Sequence, residues 1–234
     1  MAVVGNKKGI GNFIVIEGTD GSGKTTQVKL LTRYLKKEGF DVVVDDYPRY
    51  KTSVWGQLIG RMLTGEFGDP SQINPYLSVL PYMLDEYFGS QDIARWLEKG
   101  RFVLSNRYFT SNIHQIGKLK GEARKVFRKW LWPTGWDSLG ILKPDLIIVL
   151  SVDPKIAMKL IKKKGKRSYI KKGDSDLVEE DLNYQTEAAK EYFYMCQKND
   201  NWVLVNCLDN DNKILNRGEI CAKIIDVLKK RKFL

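Results

Sequence analysis

Eight residues near the start of the chain carry the most chemistry: Gly18-Thr-Asp-Gly-Ser-Gly23-Lys24-Thr25. Their spacing is GxxxxGK[ST]. Glycines at this spacing let the backbone curl so that successive N–H groups point inward, which suits phosphate oxygens. The Lys24 ammonium can reach the β- and γ-phosphates of a nucleoside triphosphate, and the Thr25 hydroxyl can ligate Mg²⁺. Asp20 lies inside the same loop. A carboxylate there is repelled by phosphates unless it meets a hydroxyl or a cation, so it reads either as functional or as a turn former. Gly18, Asp20, Gly21, Ser22, Gly23, Lys24, Thr25 and Thr26 are therefore expected to hold ATP or GTP with Mg²⁺. The chain contains no N-K-x-D sequence of the kind that reads guanine, which disfavours a GTPase.

Such a loop works only between a strand and a helix. Phe13-Ile-Val-Ile, ending at Glu17, reads as a buried strand. Thr25 to Glu38 follows with Val28, Leu31 and Leu35 at helical spacing and Gly39 as its stop. The helix start adds favourable partial charge beside a bound anion. Four more β-rich runs follow: Asp41-Val-Val-Val, Phe102-Val-Leu, Asp145-Leu-Ile-Ile-Val-Leu and Trp202-Val-Leu-Val. Their apolar character is continuous rather than alternating, as in strands covered on both faces. Helical stretches read at 155–164, 179–194 and 214–230. Strands alternating with helices predict an α/β sandwich with a five-stranded parallel sheet. Residues 1–234 read as one domain. The segment 130–136 holds Trp130, Trp132 and Trp136, expected to pack in the core or at an interface.

Composition narrows the class. Of 234 residues, 43% are hydrophobic and 29% charged, which excludes wholesale disorder. The longest aliphatic run, Leu146 to Leu150, is far short of a membrane span, and no apolar leader begins the chain. Three cysteines with no metal spacing point to a reducing, cytoplasmic setting, and the single His114 excludes a multi-histidine metal site. A net charge of +11 suits anionic partners without choosing among them.

Further residues give a family resemblance. Glu17 to Gln27 closely resembles the phosphate loop of thymidylate kinases, which transfer the ATP γ-phosphate to dTMP. Tyr47-Pro48-Arg49-Tyr50, Asn106-Arg107-Tyr108 with Ser111-Asn112, and Lys143-Pro144-Asp145-Leu146 resemble later motifs of that family, in the same order. The basic stretch Lys162 to Lys172 resembles its lid, set at about 162–178. The resemblance implies that Arg49 and Arg107 grip the acceptor monophosphate, as guanidinium forks suit phosphate geometry. It implies that Asp20 faces the acceptor sugar and the metal, and that Lys24 and Arg107 serve phosphoryl transfer. It implies Arg167 as the lid cation on the transferring group, Glu179 near the metal or acceptor, Tyr82 stacked on the base, and Ser111, Asn112 and Gln115 around the acceptor. A homodimer packed through helices, with Leu77 to Phe88 contributing, is also implied, with no membrane and no nucleic acid as partner.

Two positions depart from the family pattern. Glu86 stands where an arginine would bond the base, and a carboxylate cannot donate to a thymine carbonyl. Asn106 stands where the family has aspartate beside the metal and phosphates. Glu86 keeps open the same chemistry on another nucleoside monophosphate. Asn106 and the net charge keep open a nucleotide-binding protein with little turnover that binds nucleic acid.

Overall fold

The computed structural model describes residues 11–162 and 181–234. Five strands form one parallel sheet: β1 (Asn12–Glu17), β2 (Val42–Asp46), β3 (Phe102–Asn106), β4 (Leu146–Ser151) and β5 (Trp202–Asn206), in the order β2-β3-β1-β4-β5. The three central strands are buried on both faces, as their unbroken apolar runs require. The edge strand β2 is not. It alternates, and Val44 is exposed, because no strand and little helix covers its outer face.

Period-two alternation divides the core. Phe13, Val15, Val103, Ile147 and Val149 face one layer, and Ile14, Ile16, Leu104, Ile148 and Leu150 face the other. The second layer is closed by α1 (Lys24–Lys37) through Val28, Leu31 and Leu35, and by α9 (Arg217–Lys230) through Ile220, Ile224 and Leu228. The first layer is closed by α4 (Leu80–Glu98), α5 (Ile113–Gly117), α6 (Gly121–Pro133) and α8 (Leu182–Lys198). The remaining α-helices among the described residues are α2 (Val54–Leu63), α3 (Pro75–Ser78) and α7 (Pro154–Lys162).

Helix boundaries follow caps more closely than apolar periodicity. The last helix was expected from residue 214 but starts at Arg217. Asn216 accepts from the N–H groups of Gly218 and Glu219, while Glu219 reaches back to the Asn216 N–H. Ile214 instead forms an antiparallel bridge with Leu208. Helix α8, expected over 179–194, is capped by Asp181 and runs to Lys198. Helix α4 has no clean apolar stripe, because its buried positions include Asp85, Glu86 and Ser90 beside Met83 and Ile93.

The tryptophan-rich segment packs into the first layer. Trp136 and Trp132 meet Phe109 edge-on at 4.4 and 5.4 Å between ring centroids. Cys207 and Cys221 are buried and Cys196 half-buried, all as free thiols. Burial pushes Cys196 and Cys207 up to about 12.

Candidate active site

The carboxyl ends of β1, β2 and β3 converge on one region, where parallel sheets bind ligands. The loop between β1 and α1 has Gly18 and Gly21 at φ +138° and +79°. A Cβ on Gly21 would stand 2.3 Å from the Ala157 carbonyl oxygen of α7, and one on Gly18 2.7 Å from that of Leu150. Glycine is thus required by backbone angle and by space. Lys24 Nζ donates to the Gly18 and Thr19 carbonyls, both at 2.8 Å. The Thr19 and Ser22 hydroxyls are buried and make no hydrogen bond among the described residues. Gly23, Lys24, Thr25 and Thr26 lead into the first turn of α1, with Thr25 exposed.

Asp20 and Arg107, singled out separately in the sequence, form an ion pair. The other Asp20 oxygen accepts from Gln185 Nε2 at 3.0 Å, and the Asp20 N–H donates to Gln185 Oε1 at 3.1 Å. Arg107 Nη1 donates to Ser111 Oγ at 3.2 Å and to His114 Nε2 at 3.4 Å. Ser111 Oγ donates in turn to Glu17, as do the Thr110 hydroxyl at 2.6 Å and the Tyr192 hydroxyl at 2.7 Å. Glu17 is fully buried. Tyr192 and Gln185 share α8, so the contacts close into a ring joining β1, the loop, the segment after β3, and α8. Arg107 sits at φ +65°, which costs a non-glycine residue about 1 kcal/mol, and this ring holds it there. Burial, the largest single effect, works against the Arg107 charge; Asp20 first, then Tyr192, Glu17 and Tyr50, together outweigh it and hold the pKa above the ordinary value.

Two of the residues expected at the site also have partners within the fold. Asp20, expected to face the acceptor sugar and the metal, has its carboxylate on Arg107 and Gln185. The Thr25 hydroxyl is 3.4 Å from Asn106 Nδ2, which also donates to Asp46 at 2.7 Å. Ser111, expected near the acceptor, links Glu17 to Arg107.

Arg49 is anchored to α4. Its N–H, Nε and Nη2 donate to Asp85 Oδ2, Oδ1 and carbonyl oxygen at 2.8, 3.1 and 2.9 Å, with Asp92 at 3.5 Å. Across from it, Asn112 Nδ2 donates to Glu86 Oε2 at 3.0 Å, and Ser78 Oγ donates to Gln115 Oε1 at 2.6 Å. Tyr82 lies on α4, half-buried, one turn before Glu86. Arg167 and Glu179 lie outside the described residues. Gln185, Asp46, Asp85 and His114 have structural partners here that the sequence did not reveal. The available signal was a glutamine at the head of the buried Ala188, Tyr192 and Met195 face of α8.

A thymidylate kinase family model matches residues 16–216. The chain belongs to the thymidylate kinase family. Members of this family phosphorylate dTMP with ATP. The chain is 28% identical to a thymidylate kinase of Maridesulfovibrio salexigens over 225 residues, 93% of this chain and 96% of that one. It is 34% identical to a probable thymidylate kinase of Thermococcus onnurineus over 154 residues, 64% of this chain and 70% of that one. The fold matches the solved structure of thymidylate kinase from Candida albicans, with a TM-score of 0.73 at 20% identity over 95% and 93% of the two chains. The five-stranded parallel sheet flanked by helices is thus the family's architecture.

Two outcomes follow for stability. Arg49→Ala leaves the buried Asp85 carboxylate without its cation and is expected to lower the unfolding free energy in urea by about 3 kcal/mol. Asp85→Asn in the same chain recovers more than half of that. Burial first, then Arg107, depress His114 to about 3. Its neutral Nε2 accepts from Arg107, which only donates. The unfolded chain therefore takes up this proton first as pH falls through about 6.5. The stability of the wild type relative to His114→Gln should drop by about 1.4 kcal/mol between about pH 7.5 and pH 5.5, with His114 the one histidine of the chain.

Proposed function

We propose that the chain acts as a single kinase domain and moves the γ-phosphoryl group of ATP to dTMP, giving dTDP and ADP. The observation that carries this reading is the pairing of a glycine-rich phosphate loop with a pre-oriented Arg107 at neighbouring strand ends. Lys24 would exchange the Gly18 and Thr19 carbonyls for phosphate oxygens. Three of the five Arg107 N–H donors hold Asp20, Ser111 and His114, leaving two for the acceptor phosphate. Arg49, held by Asp85, would grip the same phosphate from the other side. An acceptor monophosphate is already ionised, so no general base is needed. Its oxygen forms a bond to Pγ as the bond from Pγ to the ADP oxygen breaks, and positioning with charge neutralisation suffices. Arg167 is assigned the lid cation, and Glu179 a place beside the acceptor or metal.

Magnesium fits the oxygen donors at the start of α1. Asn106 Oδ1 is buried without a hydrogen bond among the described residues, beside Thr25. Asp46, paired in register with Asn106 across β2 and β3, brings the negative charge that Asn106 lacks. Thr25 would hold the ion with Asn106 and Asp46 behind it. An ion held this way would keep waters and substrate oxygens as most of its ligands. Bound there, the ion would neutralise charge on the β- and γ-phosphates.

Leu77, Leu80 and Phe88 are 64, 44 and 47% exposed along one stripe of α3 and α4. An apolar stripe of this kind supports a homodimer through these helices. Among the described residues no helix is long and apolar enough to cross a membrane, and the cytoplasm is the compartment assigned here. The positive charge is assigned to nucleotides rather than nucleic acid.

ADP release from MgATP is expected with dTMP as the preferred acceptor among dTMP, dUMP, UMP, dCMP, AMP and dGMP. Lys24→Ala should reduce kcat by about a hundredfold or more. No release with any acceptor would refute the kinase reading. Light scattering should give the dimer mass, and Phe88→Glu the monomer mass; a monomeric wild type would rule out the dimer.

A further inference from the structure

Helix α4 turns one face toward residues 109–117, and two side-chain pairs join them. Ser78 bonds Gln115, and Glu86 bonds Asn112. Val79, between α3 and α4, keeps helical angles (φ −77°, ψ −23°). Ser78, Tyr82 and Glu86 follow at steps of four, so Tyr82 stands on the face between the two pairs. A helical side chain leans over the turn before it, which carries the Glu86 carboxyl toward Tyr82.

The hydrogens in this cluster can be assigned. Asn112 Nδ2 donates both to Glu86 Oε2 and to the Phe109 carbonyl, each at 3.0 Å. A carbonyl only accepts, so the amide orientation is fixed, with Oδ1 turned away from both. Oδ1 of Asn112 and Oε1 of Glu86 take no hydrogen bond among the described residues. Glu86 is 2% exposed, and no ion pair among the described residues reaches it. The charged and titratable groups facing it are Asp85 on α4, Glu17 on β1 and Tyr108 after β3. Asp85 already engages Arg49. Tyr108 is kept neutral, chiefly by burial. Burial first, then Asp85, push the Glu86 carboxyl well above the ordinary carboxylate range, with only the Asn112 bond working the other way and Glu17 adding to the rise. Buried, beside Asp85 and with no cation among the described residues, the group favours its neutral form, which has one O–H to give.

We propose that Glu86 donates this O–H to the 4-carbonyl of the acceptor pyrimidine while Asn112 Oδ1 accepts the ring N3–H, with Tyr82 against the ring face. The inference rests on the dTMP kinase reading and names what sets its base specificity. A neutral Glu86 does the donating that an arginine would do at this position. The pair selects a keto pyrimidine. Cytosine presents an amino group and a bare ring nitrogen at the same two points, so donor would meet donor and acceptor would meet acceptor. A site built to hydrogen-bond one edge rejects the mismatched edge by roughly a hundredfold or more. An ionised Glu86 would reverse the preference.

The test compares dTMP and dCMP as acceptors for wild type, Glu86→Leu and Glu86→Gln. Leucine removes the donor, whereas glutamine keeps a donor without charge. Glu86→Leu is expected to raise KM for dTMP about tenfold or more, with kcat changed less than about threefold, and to narrow the dTMP-to-dCMP ratio. Glu86→Gln is expected to rescue both. The infrared difference spectrum of wild type minus Glu86→Gln at neutral pH should contain the carbonyl stretch of a protonated acid. An unchanged acceptor ratio in Glu86→Leu, about tenfold tighter dTMP binding in Glu86→Gln, or a missing acid band would each overturn the proposal while dTMP turnover by the wild type stands. If Glu86→Leu loses its native circular dichroism, the glutamine comparison and the band decide. Wild type inactive with every monophosphate would sink the kinase reading and this proposal with it.

Discussion

One buried carboxylate organises this protein. Glu17 ends the central strand, fully enclosed, and three hydroxyls from Thr110, Ser111 and Tyr192 converge on it. A buried carboxylate persists only if its lone pairs are met, so these partners cannot drift. Through Ser111 the constraint reaches Arg107, through Arg107 it reaches Asp20, and through Asp20 it reaches Gln185 on the helix that also carries Tyr192. The glycine-rich loop and Arg107 are therefore held at one fixed separation. Phosphoryl transfer depends on that separation more than on any single reactive group, because the protein contributes positioning and charge.

The same economy appears in the acidic side chains around the site. Asp85 lies buried and anchors Arg49 by backbone and side chain together, which fixes the guanidinium fork before any ligand arrives. Asp46 stands beside Asn106 on the neighbouring strand, so a neutral residue at the end of β3 does not leave the Thr25 region without negative charge. Glu86 meets no cation among the described residues, and burial pushes its carboxyl well above the ordinary carboxylate range. Three carboxyl groups a few residues or one strand apart thus take three different pairings, set by what each one faces.

Lys24 shows how the loop is stabilised from within. Its ammonium is nearly buried and rests on two loop carbonyls, which keep the glycine-rich turn from collapsing. The Thr19 and Ser22 hydroxyls, which make no hydrogen bond among the described residues, lie in the same turn.

The sequence by itself determined the sheet and its loop. Five unbroken apolar runs, helical periods between them and GxxxxGK[ST] after the first run follow from local patterning, and local patterning is what a linear reading sees. It determined Lys24 and Thr25 as candidates in the same way, with the family resemblance adding Arg49, Arg107, Tyr82 and Asn112. Helix α4 was not legible from periodicity, since its buried face mixes Asp85, Glu86 and Ser90 with apolar residues, and only packing explains carboxyls on a core face. Only the tertiary structure decided which residue meets which. Asp20 and Arg107 are 87 positions apart and Asp20 and Gln185 are 165 apart, so no spacing announces either pair. The reading of Glu86 changed for the same reason. A glutamate in a sequence is an anion, and it becomes a donor only when burial, Asp85 and the fixed amide of Asn112 surround it.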